Sequence, residues 1–272
     1  MLAPRYQAHE LPYEVIVRLP ILFTRTLRSQ SVNFDHRILW SWIGQLLVSK
    51  RFVGTKINTL LDDDEFVTNF LLLVRIELAS LWSPPVNEEV RKLNGIIDQV
   101  ISYHVKEMVM NKDSIGLAFS FPVLERCLKI LCYRYLNTDG TVRERFNVLG
   151  LNRVYETGER VSSLKVLILL FKDKVATGEM KKSLDNFSLE LQSIFPRKGS
   201  MVDMLYSWRN GALHGDKMYS KYHAVIMNFI SMLILDAISQ IYPKLSEAAT
   251  HRMKNALIGI DSPWDVYPPK LF

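Results

Sequence analysis

The chain of 272 residues is 48% hydrophobic and 23% charged, enough for one large or two modest domains with real cores. Its net charge of +6 is a mild basic bias, compatible with an anionic partner without requiring one. The two cysteines, Cys127 and Cys132, have the spacing of neither a metal knuckle nor a redox pair, which leaves reduced, partly buried thiols in a cytoplasmic protein as the expectation.

Residues 1–30 contain Pro4, Pro12 and Pro20, so this start is expected to be irregular or only briefly helical. It lacks the basic stretch and apolar core of a signal peptide. From Asp35 to Val53, the residues Ile38, Leu39, Trp42, Ile43, Leu46 and Leu47 recur at helical spacing. The acidic run Asp62 to Glu65 precedes a helix predicted over Phe66–Trp82, where capping and the helix dipole explain it without a metal. Ser83-Pro84-Pro85 ends that helix, and another is predicted over Asn87–Met110. Asn111-Lys112-Asp113-Ser114 is the best internal boundary.

Beyond it, Phe121-Pro122 opens a helix with Leu124, Cys127, Leu128, Leu131 and Tyr135 on one stripe, and Asn137-Thr138-Asp139-Gly140 stops it. Val161–Lys174 reads as helix, although the apolar run Val166–Phe171 taken alone also suits a buried strand. Met180–Phe195 is helical and closes at Pro196-Arg197-Lys198-Gly199-Ser200. A helix with Leu205, Trp208 and Ala212 on its core side follows, and Gly215-Asp216 breaks or bends the chain. Tyr222–Tyr242 is long enough to span a bilayer. His223, Asn228, Asp236 and Gln240 interrupt it, so a buried helix or a subunit interface is expected instead. Ser262 to Pro269 reads as an extended strap. The fold class is all-α, with no internal repeat.

Chemistry concentrates in Arg209-Asn210-Gly211-Ala212-Leu213-His214, which puts a permanent cation, an amide and an imidazole within six residues. Asn210 and His214 are four apart, so on one helical face the amide can orient the ring. Arg209 is five before His214, ~140° round an ideal helix, but its long arm can swing to the same cleft. A side chain that titrates near neutrality beside a phosphate-gripping fork suits phosphodiester cleavage. The same segment also reads as a helix end in which Asn210, Gly211 and His214 fill turn-forming roles.

The order of a leading helix (Phe121–Leu136), a variable middle, the Arg209–His214 motif and a final long apolar helix resembles the HEPN superfamily. Its mark is an arginine followed by a polar residue, with four to six residues before a histidine. The resemblance covers roughly residues 113–245, leaving 1–112 as an additional N-terminal helical region of unknown role and 246–272 as a C-terminal tail. It implies a helical bundle that forms a homodimer with a composite site, in which Arg209, Asn210 and His214 act as a metal-independent endoribonuclease without cofactor. It also implies RNA as substrate and a setting in antiviral defence or a toxin–antitoxin pair. Inactive members of the superfamily serve as binding modules, which is the alternative. One branch carries a tyrosine two positions after the histidine as a modification target; that position here is Asp216, so this form of control is not expected.

Lys217, Lys221, Arg197 and Lys198 flank the motif and are weaker candidates for gripping RNA backbone, against plain surface charge. Trp208 and Tyr219 are candidates for base stacking, against a core role. His223 reads as a bundle histidine. Glu125 and Arg126 in the leading helix can face the cleft, but neither is assigned a role, and His9, His36, His104 and His251 show no evident partners.

Overall fold

The computed structural model describes residues 7–29, 32–53, 60–79, 115–196, 199–214 and 220–257. After a short 3-10 turn at Ala8–Glu10, the described helices are α1 (Tyr13–Ile16), α2 (Leu19–Thr26), α3 (Phe34–Val53), α4 (Asp64–Ala79), α5 (115–131), α6 (Leu164–Leu170), α7 (Gly178–Ile194), α8 (Met201–Leu213), α9 (Ser220–Ala237) and α10 (Tyr242–Leu257). The fold is predominantly helical. Two strands of two residues each, β1 (Phe146–Asn147) and β2 (Val154–Tyr155), add a small antiparallel ladder between α5 and α6. The helix predicted over Asn87–Met110, the boundary at 111–114 and the strap at 262–269 lie outside the described residues.

At the centre of the fold are α3 and α9. Residues 38–47 of α3 and 222–235 of α9 are all buried, so these helices are covered all round and not along one stripe. The shell is built by α2 on α9, α4 and α10 on α3, and α7 on α2. The apolar excess of the 222–242 stretch therefore goes into the core of a single chain, not into a subunit interface.

Several buried polar groups of these helices are partnered within the core, whereas the Ser41 and Ser231 hydroxyls have no hydrogen-bond partner among the described residues. Trp40 Nε1 donates to Asn228 Oδ1 at 3.0 Å, and the Asn228 amide donates to Thr24 Oγ1 at 3.1 Å, joining α3, α9 and α2. Trp42 Nε1 donates to the Tyr242 hydroxyl at 3.3 Å, and Arg252 reaches Gln45 and Ser49, each at 3.4 Å. The N-terminal helices and the bundle helices share one apolar cluster.

Three details depart from the sequence reading: the single helix over 222–242, the tail read from residue 246, and the start of a helix at Phe121. The stretch from Tyr222 to Tyr242 is not one helix. The chain turns after Ala237 and bends by 113° into α10, which takes up 242–257 and so includes much of the segment read as a tail. Turn bonds from Ser239 to the Asp236 carbonyl and from Ile241 to that of Ile238 make the corner, and Pro243 sits in the first turn of α10, where a missing N–H costs nothing. Residues 115–120 are already helical, so Pro122 lies inside α5. Both Pro122 and Ala118 are exposed, which lets water take the carbonyl that the proline cannot bond. Val166–Phe171 is helical and not a strand, running on from α6 into a π turn at Phe171–Val175. Among the described residues no single helix is long and apolar enough to cross a membrane.

The acidic run before α4 does what a cap does. Asp63 Oδ1 accepts from the Phe66 N–H at 2.7 Å, and Lys50 pairs with Asp62. Arg126 of α5 grips both oxygens of Asp63, at 2.8 and 2.9 Å, and reaches Glu65 at 2.7 Å. Cys127 and Cys132 are fully buried and free. Burial pushes both thiols up, that of Cys132 to about 12, which makes them poor nucleophiles.

The hairpin region starts at Gly140, whose φ of +90° lies in the left-handed region and whose absent Cβ would stand 2.6 Å from the Val161 carbonyl oxygen. Backbone cannot yield as a flexible side chain would. Gly140→Ala is expected to destabilise the protein by at least about 2 kcal/mol, from left-handed strain plus the clash. Urea unfolding beside the wild type measures it, and an unchanged midpoint counts against this account.

Candidate functional site

The candidate site is built on α8. Ser200 caps it by accepting from the Asp203 N–H at 3.2 Å, and Asp203 Oδ1 pairs with Lys165 of α6 at 2.9 Å. The Ser200 hydroxyl and then Lys165 hold the Asp203 carboxyl below the ordinary aspartate range. On the inner side, Met201, Met204, Leu205 and Trp208 are buried, with Ala212 packed against the cluster. Trp208 meets Tyr222 at 4.3 Å and Phe195 at 5.1 Å between ring centroids. At 1% exposure Trp208 is a core residue, which closes the base-stacking role considered for it.

On the outer side, Asp203, Tyr206, Ser207 and His214 are exposed, and Arg209 and Asn210 are half-buried. Arg209 Nε donates to Glu125 Oε1 of α5 at 2.5 Å. Among the described residues no other hydrogen bond or ion pair engages this guanidinium, so both terminal nitrogens keep their donors. A guanidinium steadied at Nε presents its terminal fork in one orientation, the geometry that suits two oxygens of a phosphate.

His214 is the C-cap of α8, with φ −92° and ψ 4°. Its backbone N–H closes the helix on the carbonyls of Asn210, at 3.1 Å, and Gly211, at 3.2 Å. The link between Asn210 and His214 is this backbone contact. Among the described residues no side-chain hydrogen bond joins amide to imidazole, which departs from the orienting role expected for Asn210. The three motif residues thus share the last turn and a half of one helix, with the fork anchored and the imidazole open to solvent.

Lys217, Arg197, Lys198 and Tyr219 lie outside the described residues. Lys221 is in the first turn of α9, and its side chain is likewise outside them. His223 is 1% exposed, its Nε2 3.2 Å from Glu77 Oε1, and Gly116 of α5 lies flat against its ring. It is the bundle histidine that its position suggests. His36 is buried too, Nε2 3.1 Å from the Phe23 carbonyl oxygen and Nδ1 2.8 Å from Asn33 Oδ1. His251 is exposed beside Asn255, and His9 stands near Glu10.

Sequence reasoning gave Glu125 no role and passed over Tyr206. No spacing rule links Glu125 to a partner 84 residues away, whereas Tyr206 was within reach, lying four before Asn210 on the same helical face. The arrangement defines a helical protein presenting an anchored arginine, an amide and an open histidine at one helix end. Compared with protein-family models, curated proteins and solved structures, the chain matches none of them.

Proposed function

We propose that this chain is a metal-independent endoribonuclease of the HEPN type, acting on RNA as a homodimer whose two motif helices form a shared cleft. The observation that carries the reading is the Arg209 guanidinium, held at Nε by Glu125 with its terminal fork unengaged among the described residues, at the same helix end as an exposed His214. In this mechanism Arg209 grips the scissile phosphate and stabilises its growing negative charge. His214 of one protomer takes the proton of the ribose 2′-hydroxyl, which attacks the adjacent phosphorus. The second copy protonates the leaving 5′-oxygen, leaving a 2′,3′-cyclic phosphate and a 5′-hydroxyl. Asn210 binds a phosphate oxygen in this scheme, since its amide does not reach the ring. A role in defence or in a toxin–antitoxin pair follows from the HEPN resemblance.

The Arg209–Glu125 pair also supports a second reading. A carboxylate on the guanidinium offsets its charge and competes with a phosphate, as suits a HEPN-like module that binds nucleic acid or protein without cutting. One assay separates the two: labelled RNA incubated in EDTA with wild type, Arg209→Ala and His214→Ala, with the product ends determined. Cyclic-phosphate ends that vanish in both variants support the nuclease; an uncut strand with wild type leaves the binding module.

A further inference from the structure

We infer that Tyr206 is a stacking platform for a nucleobase of single-stranded RNA lying along the outer face of α8; this rests on the nuclease reading of the Arg209–His214 segment. Asp203, Tyr206, Ser207, Asn210 and His214 recur three, one, three and four residues apart, so they form one stripe on that face. Every member is polar except for the Tyr206 ring, which is 39% exposed. Among the described residues this side chain makes no hydrogen bond and no ring contact, while Met204, Leu205 and Trp208 fill the core behind it. The exposed part of the ring is therefore left without a polar or aromatic partner among the described residues.

Its position is what a bound strand needs. Tyr206 precedes Asn210 by about 6 Å along the axis, and Arg209 by about 4.5 Å. That is on the scale of the step from a phosphate to the base it carries. A phosphate at the Arg209 fork thus brings a neighbouring base over the Tyr206 ring. Stacking of this kind is indifferent to sequence, because every base has a π-face. The acidic start of the stripe does not repel the strand, since Lys165 pairs with Asp203 at 2.9 Å. A protein partner fits less well, because the centre of a protein–protein contact is built from several apolar groups and this stripe has one ring among polar neighbours.

The test uses the full chain and a fluorescent single-stranded RNA fully 2′-O-methylated, which binds but has no 2′-hydroxyl to attack. Wild type and Tyr206→Phe are expected to bind alike, and Tyr206→Ala about tenfold more weakly. Light scattering is expected to show the same oligomeric state for all three. Equal affinity of Tyr206→Ala and wild type overturns the inference. So does a loss of affinity that appears only with a change of oligomeric state, which would make the ring a protein contact. Absence of RNA binding by wild type overturns the inference together with the nuclease reading. Tyr206-dependent binding with no cleavage of the unmodified strand removes the nuclease reading alone.

Discussion

His214→Ala is expected to lower RNA cleavage in EDTA by 10⁴-fold or more. One positioned acid or base contributes about 10²–10⁴-fold, and a homodimer loses both at once because the same residue serves as base in one protomer and acid in the other. Arg209→Ala is expected to cost less, about 10²–10³-fold, the range for removing one donor from a developing oxyanion. Arg209→Lys should fall between, since an ammonium keeps the charge but loses the planar fork. Mixed dimers of wild type and His214→Ala retain one imidazole and should cut at an intermediate rate. Circular dichroism is expected to show every variant folded, because His214 is exposed and Arg209 half-exposed, outside the core. Unaltered cutting by His214→Ala removes this residue from the chemistry.

Stability should drop on acidification between pH 6.5 and about 4, and His36 is the source. Burial between α2 and α3 is the largest influence on its ring and lowers its pKa to about 4, from 6.5, against the opposing pull of the Phe23 carbonyl. In that window the unfolded chain binds a proton that the folded chain refuses. The contribution is intact above pH 6.5, fades as the pH falls, and levels off below about 4, where both states are protonated. At about 1.4 kcal/mol per unit, the loss comes to about 3–4 kcal/mol. Carboxylates such as Asp139 and Asp203, both held below their ordinary range, add their own losses at lower pH, so the comparison must be with a variant. His36→Gln is expected to be less stable at neutral pH but to lose little further on going from pH 7 to pH 4.5. Urea unfolding at the two pH values measures both slopes, and parallel slopes would sink the assignment.

Where local chemistry decides an element, the sequence was readable. Thr177 accepts from the Met180 N–H, Ser200 from that of Asp203 and Asp63 from that of Phe66, and the predicted helices begin within a few residues of these caps. Apolar periodicity reports a stripe, and for that reason the all-round burial of α3 stayed hidden; in α9, expected to be buried, Asn228 read as an interruption and is met across the core by the Trp40 indole. The β1–β2 ladder pairs only Phe146 with Tyr155 and Asn147 with Val154, too short for alternation to register. The corner at 238–241 has neither glycine nor proline, and its one signal, Pro243, stands just beyond it. The grouping of Arg209, Asn210 and His214 at one helix end was legible because they lie within six residues. Their surroundings were not, since Glu125 reaches Arg209 only through packing.

The cover that α10 lays over α3 ties the order of synthesis to solubility. Trp42 is bonded to Tyr242 across 200 residues and Trp40 to Asn228 across 188, so the earliest long helix gains its shelter only when the late helices have emerged. Contacts this distant along the chain slow folding and leave sticky surface naked on the nascent polypeptide. A release factor acting just before residue 242 would free a product with an open seam along α3, prone to clump with its siblings.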